Sequence, residues 1–478
     1  MKKIIAVIIV LILLPAGWIL VRTFNAKPWP SHKAAPLAAL PDSALLHLSM
    51  AIRIPTVSPQ DPSRIDTSVF VRYRTLLENA YPLIHQRLTR DIVTGFSYIY
   101  TWKGTDPSLP PLILMAHYDV VPVEPSAIKL WTTQPFSGEI KGDTVWGRGA
   151  VDDKCSMISI MEAVEALLRQ NYTPRRSVLL CFGHNEESTG QGAAAIARLL
   201  QQRGIHAGMV VDEGGEITRE KIPGVRRPVG LIGIGEKGYA TFELLAEKTG
   251  GHSSRPDKET AVDMLARALY KLRQEKTPHR ILDPTREFLT RISGSSNKFM
   301  DKMALNNLWL FEGYVLYKMG EDKDGRAMTS TTIVPTILES GVRENVIPSQ
   351  AKAIVNTRIL PGESIKEVEA FIRRGVDDDR IKIRLAGDFA TEPSSMTDYH
   401  SDAFKKVADA AVAVSDDLIP TPFIMVGATD SRNFRTISDG VINFCPTTDS
   451  KGYHGIDERL PVKDFQRAVQ FYTLLING

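Results

Sequence analysis

Five short segments carry the groups with which this chain could hold metal ions: HYDVV at 117–121, GRGAVDDK at 147–154, HNEES at 184–188, VDEGG at 211–215 and YHGIDER at 453–459. His117 and Asp119 are two apart, so in an extended segment they share a side and the carboxylate can orient the imidazole. Asp152 and Asp153 follow a Gly147-Arg-Gly turn that lets backbone come close to a site, although acidic residues just before a helix are also common caps. Glu186 and Glu187 are adjacent anions, which repel unless cations or protons compensate them. That favours a metal on one and proton transfer by the other, with a solvated acidic turn as the alternative. Asp212 and Glu213 repeat the pattern after the next apolar run, and here Glu213 reads as a solvated neighbour. Imidazole nitrogen and carboxylate oxygen are zinc's ligand types, and a catalytic zinc keeps one position open for water. Two ions sharing a carboxylate can polarise a carbonyl and acidify water while a nearby Glu moves the proton, so the chemistry indicated is metal-assisted hydrolysis.

The elements that must position these groups alternate. Residues 111–116, 177–182 and 207–211 read as buried strands, and 155–170 and 193–203 as helices, which predicts an α/β fold with a mostly parallel, helix-covered sheet. Ligands in such sheets collect beyond the carboxyl ends of the strands, where four of the five segments fall. Between about Gly238 and Ala386 the character changes, with strands expected at 239–246 and 351–359 and helices at 261–274 and 365–375. This reads as an inserted α/β module, because the last segment, with His454, returns only after it. Within it, residues 288–325 are rich in large apolar side chains without a sharp period. Burial under the module or in a subunit contact is one reading, and a groove for an apolar substrate group is the other.

The 478 residues exceed what one core accommodates, and a net charge of +3 without a dense Lys/Arg run gives no nucleic-acid footprint. Lys2 and Lys3 precede an uncharged run from Ile4 to Val21, which at about 1.5 Å per residue nearly spans a hydrocarbon core. No small-x-small cleavage site follows, since Phe24-Asn25-Ala26 places a bulky residue wrongly, so the sequence predicts an uncleaved anchor. The positive-inside tendency then puts the bulk of the chain outside the cytoplasm, with secretion after signal cleavage as the alternative. The expected division is a membrane anchor over 1–25, a linker over 26–40, a catalytic domain split between 41–237 and 387–478, and the inserted module over 238–386. Cys155, Cys181 and Cys445 read as small core residues.

Taken in order, with the insertion between the fourth and fifth, the five segments resemble the dizinc metallopeptidase family twenty, which includes aminoacylase, carboxypeptidase S and glutamate carboxypeptidase. The resemblance covers nearly everything after residue 40. It is strongest, through HxDVVP, GRGxxDDK, VDEGG and GATDSR, to carboxypeptidase S and the N-fatty-acyl-amino-acid synthase/hydrolases. It implies an α+β class for the insertion and two Zn²⁺ per chain, with Co²⁺ or Mn²⁺ able to satisfy the same ligands: His117 and Asp212 on one, Glu187 and His454 on the other, and Asp152 as the bridge. Glu186 is implied as the general base and Asp119 as the residue behind His117. The insertion is implied to be a ferredoxin-like lid and dimerisation domain, with His252 in Gly251-His-Ser-Ser stabilising an oxyanion, often across a dimer. Asn345 is implied as a lid position and Arg358 as the contact to a substrate carboxylate, with Arg432 and Gly427 of Gly427-Ala-Thr-Asp-Ser-Arg lining the same cleft. One departure is Asn185, where relatives commonly carry Asp before the Glu pair. The activity implied is cleavage, or reversible formation, of the amide in an N-acyl amino acid or a short peptide with a free carboxylate. The competing class is a binding protein of the same fold without catalysis. Two-metal phosphoester hydrolysis would want more cationic groups than these segments supply.

Overall fold

The computed structural model describes residues 2–387 and 389–478, apart from the side chains of residues 2, 5–10 and 12. The apolar runs Leu112–His117, Val178–Gly183 and Met209–Asp212 are buried at every position, as strands covered on both faces must be. They are the centre of a nine-stranded sheet whose spatial order is Thr89–Val93, Ser97–Trp102, Val178–Gly183, Leu112–His117, Met209–Asp212, Val441–Asn443, Val229–Glu236 and Ile419–Met425, with Ile217–Thr218 paired to Val229–Glu236. The centre is parallel, and the register His117 opposite Gly183 and Asn443 opposite Asp212 brings the strand ends level. Antiparallel pairs at Thr89–Val93 and Ser97–Trp102 make the sheet mixed. Helix Lys154–Arg169, buried along nearly its whole length, packs with Val462–Asn477 on one face, and Gln191–Gln202 covers the other. Leu114 and Leu180 are fully inaccessible, and truncating either to alanine removes about 2–5 kcal/mol from the about 5–15 kcal/mol that holds a domain folded.

A second, antiparallel sheet is separate from the first. Its spatial order is Thr332–Ser340, Gln350–Ile359, Gly238–Glu247 and Lys382–Leu385. Strict alternation of burial along Gln350–Ile359 leaves one face to be covered, and helices Ala261–Gln274 and Ile365–Val376 cover it. Both helices open on capping boxes, Thr260 with Asp263 and Ser364 with Glu367, which satisfy amides that would otherwise lack partners. Strand-helix-strand-strand-helix-strand in this spatial order is the ferredoxin-like arrangement. The chain crosses between the two units at residues 236–239 and 391–394, where Tyr239 and Thr391 exchange backbone hydrogen bonds at 2.8 Å.

Residues 283–329, which the sequence pattern keeps inside the insertion, leave the lid sheet. Helices Asp283–Ser293, Phe299–Asn306, Leu308–Glu321 and Lys323–Thr329 pack instead on the edge of the large sheet, where Phe288, Leu289, Ile292, Leu308 and Val315 share a core with Val225, Val229 and Ile419. Ile419–Met425 is the last strand of that sheet, and such an edge needs cover. Some of the apolar stretch at 288–325 is therefore buried within the chain itself.

Lys2–Asn25 forms a helix. Among the described residues no helix is long and apolar enough to cross a membrane, and the expected anchor falls in part on residues 1, 2, 5–10 and 12, outside the described side chains. Residues 26–40 lack regular structure but are not a free spacer. Arg227 donates to the Trp29 and Pro30 carbonyls, His32 N and Ala34 N donate to Asp417 and Asp416, and Ala38 N donates to Gln470 Oε1 at 2.8 Å.

Candidate metal centre

His117 ends one central strand, Glu186 and Glu187 follow the next, Asp212 ends the third with Glu213 one residue on, and Asp152 precedes the helix Lys154–Arg169. The level strand ends put these groups around one cleft, and the loop between Val441–Asn443 and Arg459–Pro461 brings His454 to it. The two oxygens of Asp152 face different imidazoles: Oδ1 is 3.0 Å from His117 Nε2 and Oδ2 is 3.0 Å from His454 Nε2. Glu213 Oε1 lies 3.5 Å from His117 Nε2, and Glu187 Oε2 lies 3.1 Å from His454 Nε2. Two triads result, His117–Asp152–Glu213 and Asp152–Glu187–His454, with Asp152 common to both.

Asp119 is fully buried and holds several sides of the cleft at once. Its carboxylate lies 3.4 Å from His117 Nδ1 and accepts from the Glu186 amide at 3.1 Å, the Glu187 amide at 3.0 Å and the Ser58 hydroxyl. Glu458, also fully buried, pairs with Arg148 at 2.6 Å and accepts from the amides of Gly149, Val151 and Asp152, so the loop carrying His454 is tied to the loop carrying Asp152.

The electrostatics are those of crowded anions. Burial pushes the Glu186 carboxyl well above its ordinary range, and Asp430, Glu213 and Glu187 add to this against the opposing pull of His117. Burial and Asp152 push Glu213 up to about 7. Burial disfavours a charged His117, but Asp119, Asp152 and Glu213 outweigh it and hold the imidazole well above its usual value. Hydrogen bonds to Asp152 and Glu187 raise His454 to about 10. Such a cluster calls for added positive charge. Tetrahedral zinc bonds of about 2.0–2.1 Å place ligand atoms about 3.3 Å apart, which the 3.0–3.5 Å separations here match. Glu187 Oε1 is buried and has no hydrogen-bond partner, and a buried carboxylate oxygen left so is costly unless a cation takes it. The donor set and the orphaned oxygen both fit a pair of divalent ions.

One sequence assignment changes. Asp212 does not join the cluster: its Oδ2 is engaged by the Ser431 amide at 2.9 Å and the Thr429 hydroxyl at 3.0 Å. Glu213, read from the sequence as a solvated neighbour, faces His117 instead. Side chains alternate across a strand, and Asp212 is the last residue of its strand, so the carboxylate that turns into the cleft is the next one. The sequence pattern also assigns no role to Glu458, Arg148, Ser58 or Asp430. Glu458 and Arg148 stand inside two of the five segments, which is the signal that could have found them. Asp430 is buried with both oxygens unpartnered, in the GATDSR segment beside Gly183 and Gly190.

The residues expected to meet substrate divide. Arg358 stacks on Tyr239 at 4.8 Å, Arg432 stacks on Phe389 at 4.8 Å, and the two rings lie 5.5 Å apart. The two arginines, rivals for one role in the sequence, thus form one aromatic-separated stack across the crossing between the units. Burial and the Arg432 charge push Arg358 below its ordinary value against Tyr239. Gly427 has open space where a side chain would stand. His252 and Asn345 lie together on an exposed two-stranded ribbon, where the Asn345 carbonyl accepts from Ser253 N at 3.1 Å and His252 Nδ1 meets Ser254 Oγ at 2.8 Å. Among the described residues, neither touches the metal cluster within this chain.

Comparison with known proteins finds relatives over most of the chain. The model of Peptidase family M20/M25/M40 matches residues 113–478. Human N-fatty-acyl-amino acid synthase/hydrolase PM20D1 is 35% identical over 440 residues, covering 90% of this chain and 86% of that protein. Probable carboxypeptidase S-like 2 of Dictyostelium discoideum is 35% identical over 416 residues, covering 86% and 79%. Among solved structures, the M20 family metallo-carboxypeptidase Sso-CP2 from Sulfolobus solfataricus shares the fold with a TM-score of 0.68 at 18% identity, covering 91% of this chain and 99% of that one.

Proposed function

The chain belongs to Peptidase family M20/M25/M40, and on that premise we propose that it is a two-metal amidohydrolase acting on N-acyl amino acids or short peptides with a free carboxylate, in either direction. The observation that carries this reading is the single carboxylate of Asp152 facing His117 and His454 with one oxygen each. His117, Glu213 and Asp152 would hold one divalent ion, and Glu187, His454 and Asp152 the other. Bound there, the ions supply Lewis acidity, polarising the scissile carbonyl and lowering the pKa of water. Glu186 receives the proton from the attacking water and returns it to the leaving amine, a role that suits a carboxyl raised by burial and neighbouring anions. Asp119 positions both His117 and the backbone that carries Glu186.

Arg358 and Arg432, resting on aromatic rings, present two guanidiniums to an anion, and the substrate carboxylate is the group we place between them. Gly427 has open space that substrate can take, and Asn345, beside His252 on the exposed ribbon, is proposed to reach the site together with it. His252, without contact to the cluster in its own chain, is proposed to reach the site from a second subunit and stabilise the oxyanion. The lid edge strand Thr332–Ser340, which exposes Val334, Ile337 and Leu338, supports such a homodimer. We also place the protein at a membrane with its catalytic unit outside the cytoplasm. Supporting this are the exposed apolar side chains of the N-terminal helix, among them Leu11, Leu13, Leu14 and Trp18, and the lysines that precede it.

The test is a turnover screen of the zinc-loaded full chain against N-acyl amino acids of increasing chain length beside dipeptides, with a chelated control. Metal-dependent release of amino acid from the acyl series is expected. A clear preference for dipeptides would remove the acyl substrate, and chelator-insensitive turnover would remove the metal centre.

A further inference from the structure

The helix Leu308–Glu321 is apolar on the side that faces away from the protein. Trp309, Leu310, Tyr314 and Tyr317 are all exposed, at helical spacing on one face, while Leu308 and Val315 fill the core on the other. The preceding helix, Phe299–Asn306, exposes Phe299 and Met300. Exposed aromatic and aliphatic groups gathered in this way mark an interaction surface rather than ordinary solvated helix.

What covers this face is indicated by what adjoins it. The C-terminal turns of Lys2–Asn25 dock on these two helices: Phe24 lies 5.8 Å from Phe299, ring centre to ring centre, and Asn307 Nδ2 donates to the Thr23 hydroxyl at 3.2 Å and the Ile19 carbonyl at 3.4 Å. Thr23 and Asn307 are both buried by this contact. Gly294 admits the close approach of the following segment, since a Cβ there would stand 2.1 Å from the Lys27 carbonyl oxygen. The N-terminal helix itself exposes Trp18, Val21 and Phe24 along the stretch that reaches this junction. Its apolar surface therefore runs on into that of the two helices. Trp, Tyr and Phe mixed with aliphatic groups are the side chains that settle at the headgroup boundary. Lys298 and Lys318 are exposed on the same two-helix unit, able to extend to anionic headgroups; Glu312 pairs with Arg286 at 2.7 Å, and Glu321 stands exposed at the last turn of the second helix.

We propose that helices Phe299–Asn306 and Leu308–Glu321 lie on a lipid bilayer beside the N-terminal helix, seating the catalytic unit directly on the membrane surface. This rests on the reading that the N-terminal helix is itself in the membrane. The inserted pair adds a second, in-plane contact, and two contacts fix an orientation where one leaves the domain free to swivel. The occupant is a bilayer, because the face continues one apolar helix rather than forming a closed groove.

The test uses the full chain reconstituted into vesicles of phosphatidylcholine and phosphatidylglycerol in equal amounts. The three native cysteines are buried, so single cysteines at Leu310→Cys, Tyr317→Cys and Leu13→Cys take an environment-sensitive fluorophore selectively. The expected result is a blue-shifted emission at 310 and 317, with quenching by lipids spin-labelled near the headgroup and protection from aqueous iodide. Labels at 310 and 317 quenched by iodide alone would overturn the proposal while a lipid-quenched label at 13 leaves the anchor intact. Iodide quenching at all three positions would remove both. Turnover of a short soluble substrate equal to wild type confirms that each labelled chain is folded.

Discussion

His117 and His454 face the same carboxylate from opposite sides, yet the chain holds them by different means. His117 ends a fully buried strand, is 2% exposed, and has Asp119 behind it. His454 sits on a loop with its side chain 54% exposed, and its order comes from Glu458 four residues on, which grips the amides of the Asp152 loop. One flank is set by the sheet and the other by a staple between loops. A metal centre built in this way has a rigid half and a half that can yield, and Asp152 is where the two halves meet.

The largest effect is expected at that meeting point. Asp152→Ala removes a ligand from both flanks, so metal content and turnover should both fall to background. Retention of one ion would show that the flanks are independent sites. Next comes the choice between adjacent carboxylates on the rigid flank. Glu213→Ala should weaken metal binding beyond the about 10–100-fold that a supporting residue gives, and Asp212→Asn should stay within that range. The reverse ranking, read by metal titration, would restore Asp212 as the ligand. On the yielding flank, Glu458→Gln should cost about 10–100-fold in affinity for the ion between Glu187 and His454, and less for the other. Equal weakening of both would mean the staple supports the whole cleft.

The smallest expected effect separates the flanks by pH. In metal-free protein, Asp152 and Glu187 raise His454 to about 10 from an ordinary value near 6.5. A raised folded pKa contributes stability that is complete below about 6.5 and is lost as the pH climbs toward 10. The chelated protein should therefore lose melting temperature over that window, and His454→Gln should lessen the loss. A chelated protein with a flat profile would show that the pair is solvated.

The metal groups are legible in the sequence because polar residues closing apolar strands have few structural uses, and five such segments in order are improbable by chance. Which of Asp212 and Glu213 turns inward is not legible, since it depends on where the strand stops, and a shift of one residue reverses the face. The lid strands Gly238–Glu247 and Gln350–Ile359 are legible from their apolar content. The departure of residues 283–329 to the edge of the large sheet is not. Helix Leu308–Glu321 is apolar on both its buried and its exposed sides, so no periodicity marks an inward face. Arg358 and Arg432 look like alternatives because sequence distance hides that Tyr239 and Phe389 bring them into one stack.

The most direct test of the two-metal reading is metal content and turnover measured on the same sample of Glu186→Gln. This change removes the proposed proton carrier and none of the groups in either triad. The expected result is the wild-type complement of ions with turnover lowered by about 10²–10⁴-fold. Turnover near wild type with both ions present would contradict the role of Glu186, and loss of the ions would make it a ligand rather than a base.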